Sequence, residues 1–170
     1  MPMRIFGRRE NAGDTESVIS DDFRQRTVRL FALVGETISA ATLALLGGDR
    51  EAGKIAVARD EEIDRLAREL ISEVQQLLLQ EPSPSVLDRE ELLTLLRILP
   101  EVERNGDLAE HIARRAVRGL GAEMSPRSRG LIERMGEVAA AIWRAATDAL
   151  LDGRPEATSE IEDTDDELDE

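Results

Sequence analysis

From about Asp21 to Leu151 the apolar positions recur every three or four residues, with almost no two-residue alternation, and this period predicts helices and no sheet. The first helix runs from Asp21 to about Leu46 and stops at Gly47 and Gly48; the second starts near Asp49 and reaches about Gln80, before the turn EPSPS. The third spans about Val86 to Arg118, with Pro100 inside it as a kink or break and Gly119 to Gly121 closing it. A fourth follows MSP and ends near Leu151. A fifth begins at Pro155, a residue favoured at a first helical position.

The fourth and fifth of these repeat the first and second. AATLALLGG, Ala40 to Gly48, returns as AATDALLDG, Ala145 to Gly153, and an offset of 105 residues carries Leu30 onto Met135 and Asp64 onto Asp169 without a gap. The expected division is a flexible leader over 1–19, a three-helix unit over 20–121, and a partial second unit of two helices over 124–170.

Two carboxylate pairs interrupt the apolar stripes. In the second helix the seam Ala56, Ile63, Leu66, Leu70, Leu77 places Asp60 where an apolar residue is expected, and Asp64 follows one turn on. In the third, Leu92, Leu96 and Leu99 lead at four-residue spacing into Glu103, and Asp107 follows. Spacing of i, i+4 puts each pair on one helix face. If the two helices form an antiparallel hairpin about Ser83, the pairs lie level to within about one residue, roughly 1.5 Å of rise. Acids gathered near a core repel one another and lose hydration, so they require cations. Oxygen ligands favour Mg, Mn or Fe; equally, Arg59, Arg65 and Arg104 could neutralise the four acids on a solvated edge.

Composition narrows the chemistry. There is no cysteine, one histidine (His111) and one lysine (Lys54), which removes thiolate metal sites, cysteine nucleophiles, multi-histidine centres and phosphate-loop chemistry. The net charge is −14, of which residues 156–170 carry nine acids and no base, and this argues against nucleic acid. MPMRIFGRRE has no apolar signal segment. The run Leu30 to Leu46 contains Glu36 and reads as a buried helix and not a membrane span. His111 reads as a surface residue, Trp143 as core, and Arg114, Arg115 and Arg118 as partners of a helix C-terminus.

LRILPEVERNGDLAEHIARRA, residues 96–116, closely resembles the segment LERIGDxAxNIA that marks the PhoU family of phosphate-signalling regulators, and RDEEIDRL, residues 59–66, is similar to that family's DxxID motif. The resemblance covers roughly residues 20–170. It implies an all-α fold, a PhoU-like antiparallel three-helix bundle followed by a partial second repeat. It also implies multinuclear metal binding at E/DxxxD motifs, with Asp60, Asp64, Glu103, Asp107, Asp165 and Asp169 as ligands and Fe, Zn, Mn or Mg as the ion. The implied role is cytoplasmic regulation of phosphate uptake and the phosphate-starvation response, without enzymatic turnover. The implied partners are a phosphate ABC transporter ATPase and a sensor histidine kinase, with a homodimer expected and at most peripheral membrane association. Relative to the family pattern Asn105 replaces a larger apolar residue, Pro100 interrupts the motif helix, and the second repeat is incomplete.

Two other readings compete. One is a metal-free helical adaptor. The other is a carboxylate–metal enzyme such as an all-α nucleotide pyrophosphohydrolase, whose ExxE and ExxD spacings are shorter than the ExxxD here; a di-iron site needs two Glu-x-x-His motifs, which one histidine cannot supply.

Overall fold

A computed structural model of the chain describes residues 18–80 and 82–152. They form four helices, α1 (Asp21–Gly47), α2 (Arg50–Leu78), α3 (Val86–Val117) and α4 (Pro126–Asp152), with one short 3-10 turn (Leu120–Glu123) and, among the described residues, no strand. The expected fifth helix at Pro155 lies outside the described residues, as do Asp165 and Asp169.

Local chemistry sets the helix ends. Ser20 Oγ accepts a hydrogen bond from the Phe23 N–H at 3.1 Å, and Asp49 Oδ1 accepts from Glu51 and Ala52, both at 3.0 Å, so each N-terminus has its free amides satisfied by a short oxygen side chain. Ser85 accepts from the Asp88 N–H at 3.2 Å and donates to its carboxylate at 2.6 Å, which accounts for a buried aspartate at the start of α3. Gly48 ends α1 with φ 65°, a left-handed conformation that glycine adopts without strain. The last turn of α1 has no basic residue of its own. Arg129 of α4 supplies one, donating to the Leu46 carbonyl and, at 3.2 Å, to that of Gly121. Pro100 neither breaks nor ends α3: it is exposed on the outer face, and the ladder loses one N–H there.

Helices α1, α2 and α3 pack on one another, whereas α4 touches α1 alone among the helices. One end of the bundle is filled by large side chains that are fully buried: Phe23, Leu30 and Val34 from α1, Ile63, Leu70 and Val74 from α2, and Leu92, Leu95 and Leu99 from α3. Thr27 and Thr37 sit among them because each hydroxyl donates to the carbonyl four residues earlier, at 2.9 and 2.7 Å. Towards the other end the contact shrinks to Ala41, Ala56 and Ala113, and a Cβ on Gly53 would lie 3.1 Å from the Ala113 carbonyl. The backbones of α2 and α3 therefore draw together along the bundle.

By length and composition α1 is apolar enough to cross a membrane, and it is also the helix that the other three surround. Both ends of α4 lie 105 residues after the ends of α1, the offset of the sequence repeat. Trp143 differs from its expected core position. Its ring stacks on Phe31 with centroids 5.8 Å apart, and its N–H donates to the Phe31 carbonyl at 3.0 Å, but it is only half-buried, because among the described helices α1 alone covers α4.

Candidate metal centre

Where the large core gives way to the alanine end, α2 and α3 present acids to each other. Gly106 makes the approach possible: a Cβ there would stand 2.9 Å from Ile63 Cγ2, closer than a packed core tolerates. One residue on, Asp107 reaches across to Asp60 and Asp64, and one oxygen from each of the three lies within 4.8 Å of the others. All three are half-buried. Asp60 Oδ1 and Asp64 Oδ1 are buried from solvent and accept no hydrogen bond among the described residues. An unsatisfied carboxylate oxygen is among the more costly groups to bury, so two side by side mark a place suited to a cation.

Electrostatics agree with this geometry. Partial burial, followed by the charges of Asp64, Glu110 and Asp107, pushes the Asp60 carboxyl up to about 6, against a weaker opposing pull from Arg114. Glu103 is also raised, first by burial and then by Asp107 and Asp64, with Arg68 opposing. Glu103 thus flanks the trio without entering it.

The arginines that could have neutralised these acids are engaged elsewhere. Arg59 pairs with Glu36 at 3.8 Å, Arg65 with Glu69 at 2.8 Å and Arg104 with Glu101 at 4.0 Å. The donor set is all oxygen, anionic and short of hydrogen bonds, which fits a hard or borderline cation, with Asp60, Asp64 and Asp107 as the residues able to hold it.

Sequence reasoning missed Glu110. It is 4% exposed, forms an ion pair with Arg114 and contributes to the field at Asp60. The signal is present in the period: the buried stripe of α3 alternates steps of three and four, Leu92, Leu95, Leu99, Val102, Gly106, Ala109, Ala113, and Glu110 adjoins it. Constant four-residue steps drift off that stripe: from Leu92 they select Leu96, which is only partly buried, and from Leu99 they run through Glu103 and Asp107 to His111, which is exposed.

Together these features describe an all-α bundle protein with a carboxylate cluster between two helices of one hairpin. The sequence profile of the PhoU domain matches residues 27–116, more than half of the chain and including both helices of that cluster, so the chain belongs to the PhoU family. Among curated proteins it is similar to the phosphate-specific transport system accessory protein PhoU homolog 2 of Mycobacterium tuberculosis, 26% identical over 150 residues, covering 88% of this chain and 70% of that one. It is similar also to PhoU homolog 1 of the same organism, 29% identical over 147 residues, covering 85% and 66%. The PhoU homolog of Xylella fastidiosa is 35% identical over 102 residues, 57% of this chain and 41% of that one. The chain therefore spans about two thirds of the length of its mycobacterial relatives. No solved structure gives a significant match.

Proposed function

We propose that this protein regulates phosphate uptake and the phosphate-starvation response, acting by protein contacts on the cytoplasmic side of a phosphate transport system and holding metal ions at its carboxylate cluster. The regulatory part rests on membership of the PhoU family and on relatives named as accessory proteins of phosphate-specific transport. The metal part rests on one observation: Asp60, Asp64 and Asp107 converge with two buried oxygens left without hydrogen bonds among the described residues.

Asp60, Asp64 and Asp107 hold the ion, Glu103 lies beside them, and by family resemblance Asp165 and Asp169 supply a second group. Bound Fe, Mn, Zn or Mg supplies the positive charge that lets neighbouring carboxylates remain ionised together. With a cation bound, the acids would tie α2 to α3 at the level of Gly106 and so fix the surface that a transporter ATPase or sensor kinase would read. Such a regulator turns over no substrate. The metal-free adaptor is the weaker reading because Arg59, Arg65 and Arg104 all pair away from the cluster.

The test is metal content by inductively coupled plasma mass spectrometry on tag-free protein, wild type against an Asp60→Asn, Asp107→Asn double variant. Metal in stoichiometric amount in the wild type and its loss in the variant is the expected result. No bound metal after reconstitution with Fe, Mn, Zn or Mg overturns the metal part. The regulatory part is read separately, by a phosphate-starvation reporter in cells lacking the gene: complementation should restore repression in high phosphate, and failure to do so with soluble, folded protein overturns it.

A further inference from the structure

The chain has a net charge of −14, yet one edge of the bundle is basic. At the alanine end, α3 carries His111, Arg114, Arg115 and Arg118 at spacings of three and four, which put all four on one face, and all four are exposed. Lys54 joins them from α2, whose backbone Gly53 brings against α3 there. Between the two helices lie adjoining hollows, one of about 210 Å³ beside Lys54 and one of about 310 Å³ beside His111 and Arg115; Arg114 and Arg118 line both. Among the described residues no acid lines either. Arg50 adds a further guanidinium, lying across Gly119 so that a Cβ there would stand 2.6 Å from Arg50 Nη2.

The fold makes little use of these charges. An arginine near a helix C-terminus commonly serves its last carbonyls, but here the backbone does so: the Arg118 N–H donates to the Arg114 carbonyl at 3.1 Å and the Gly119 N–H to that of Ala116 at 2.8 Å. Among the described residues Arg118 has no ion-pair partner, and neither has Arg115, which donates to the His111 carbonyl at 3.0 Å. Arg114 is fixed by the buried Glu110, to which its Nε and Nη2 both donate, so its guanidinium is held in place with donors to spare. Lys54 pairs with Glu51 at 2.8 Å, an exposed contact that yields readily.

Guanidinium groups gathered without carboxylates match the oxygens of phosphate, to which each can donate as a fork. From His111 to Arg118 the stripe rises about 10 Å, and its two hollows share two arginines, so a ligand with more than one phosphoryl group fits better than a single phosphate. The C-terminus of α3 repels an anion, and the N-terminus of α2, which starts beside it at Arg50, offsets that. Among the described residues no aromatic side chain lines either hollow, so a nucleobase finds nothing to stack on. We infer that this edge of α2 and α3 binds an oligophosphate through its phosphoryl oxygens. The site stands apart from the carboxylate cluster and does not depend on a cation there.

The test is isothermal titration calorimetry on full-length protein in metal-free buffer, with sodium tripolyphosphate, inorganic phosphate, citrate and ATP as probes. Tripolyphosphate should bind once per chain and about tenfold or more tighter than inorganic phosphate or citrate. ATP should bind no more than about threefold tighter than tripolyphosphate; a larger preference means that the nucleoside is recognised and overturns the assignment. The Arg115→Glu, Arg118→Glu double variant should lose about tenfold or more in affinity. Arg115→Lys, Arg118→Lys keeps the charge and the fold but removes the forks, and should lose about threefold or more. Arg89→Glu, Arg97→Glu, at two exposed positions further back on α3, makes the same change in net charge and should lose less than about threefold. The Asp60→Asn, Asp107→Asn variant should bind as wild type does. No binding of tripolyphosphate, an equal loss in the Arg89, Arg97 variant, no loss in the lysine variant, or loss in the Asp60, Asp107 variant each overturns the inference.

Discussion

Replacing Asp60 by asparagine in metal-free protein should make the protein more stable at neutral pH. The substitution keeps the shape of the side chain, removes one of three charges whose oxygens lie within 4.8 Å of one another, and supplies an amide that can donate to Asp64 or Asp107. The Asp60 carboxyl lies near 6 in the folded chain, against an ordinary 3.8. That difference corresponds to about 3 kcal/mol at 1.36 kcal/mol per pH unit, and because the three acids are half-buried along a solvent-facing edge, screening reduces the expected effect to about 1–2 kcal/mol.

The sign follows from proton linkage. Between pH 3.8 and about 6 the folded chain keeps a proton that the unfolded chain releases, so raising the pH through this window removes stability, and above it the full penalty persists. The Asp60→Asn variant carries no such penalty. Urea unfolding followed by circular dichroism, in EDTA, should therefore show the variant ahead of wild type at pH 7.5 and the two converging as the pH approaches 4. A variant less stable than wild type at pH 7.5, or one with an unchanged pH profile, would refute the placement of Asp60 among unneutralised acids. With a binding cation added, the order should reverse, because only the wild type gains stability by mass action.

Two further substitutions examine the packing that holds the site. Gly106→Ala places a methyl 2.9 Å from Ile63 Cγ2; despite about 1 kcal/mol of gain in helix propensity, a net loss of about 1–2 kcal/mol is expected in urea unfolding, with weaker metal retention. Trp143→Ala removes the stack on Phe31 and the hydrogen bond to its carbonyl and should cost about 3 kcal/mol. Hydrogen exchange read by mass spectrometry should show α4 losing protection while Leu30, Leu70 and Leu95 keep theirs; equal loss across all four helices would mean that α4 is not the separate layer its contacts suggest.

The helices were legible because their boundaries are local chemistry. Ser20, Asp49 and Ser85 cap the starts, and Gly48 ends α1, each by hydrogen bonds or torsions within a few residues of itself. The two carboxylate faces were legible for the same reason, since i, i+4 spacing is a property of one helix. Long-range partners were less so. Arg59 could neutralise the cluster acids as far as its place in the sequence shows, and the fold gives it Glu36 on α1 because α1 packs beside α2. Glu110 needed the true alternation of threes and fours along α3, which depends on how that helix faces the other two. Apolar spacing alone puts Trp143 inside, but burial depends on how many layers cover a helix, and nothing in the spacing counts layers.

The same small residues set both packing and chemistry. Gly53, Ala56, Gly106 and Ala113 remove side-chain bulk between α2 and α3, so their backbones approach, and close approach brings Asp107 within reach of Asp60 and Asp64. A larger residue at position 106 would wedge the helices apart, relieve the repulsion among the acids and weaken their hold on a cation in one step. On the proposed reading of the site, core volume and cation affinity are coupled through Gly106. Measured against wild type, Gly106→Ala should lower stability and metal retention together, whereas Asp60→Asn in EDTA should raise stability while abolishing retention. That opposite pairing separates a site built by close packing from acids that merely share a surface.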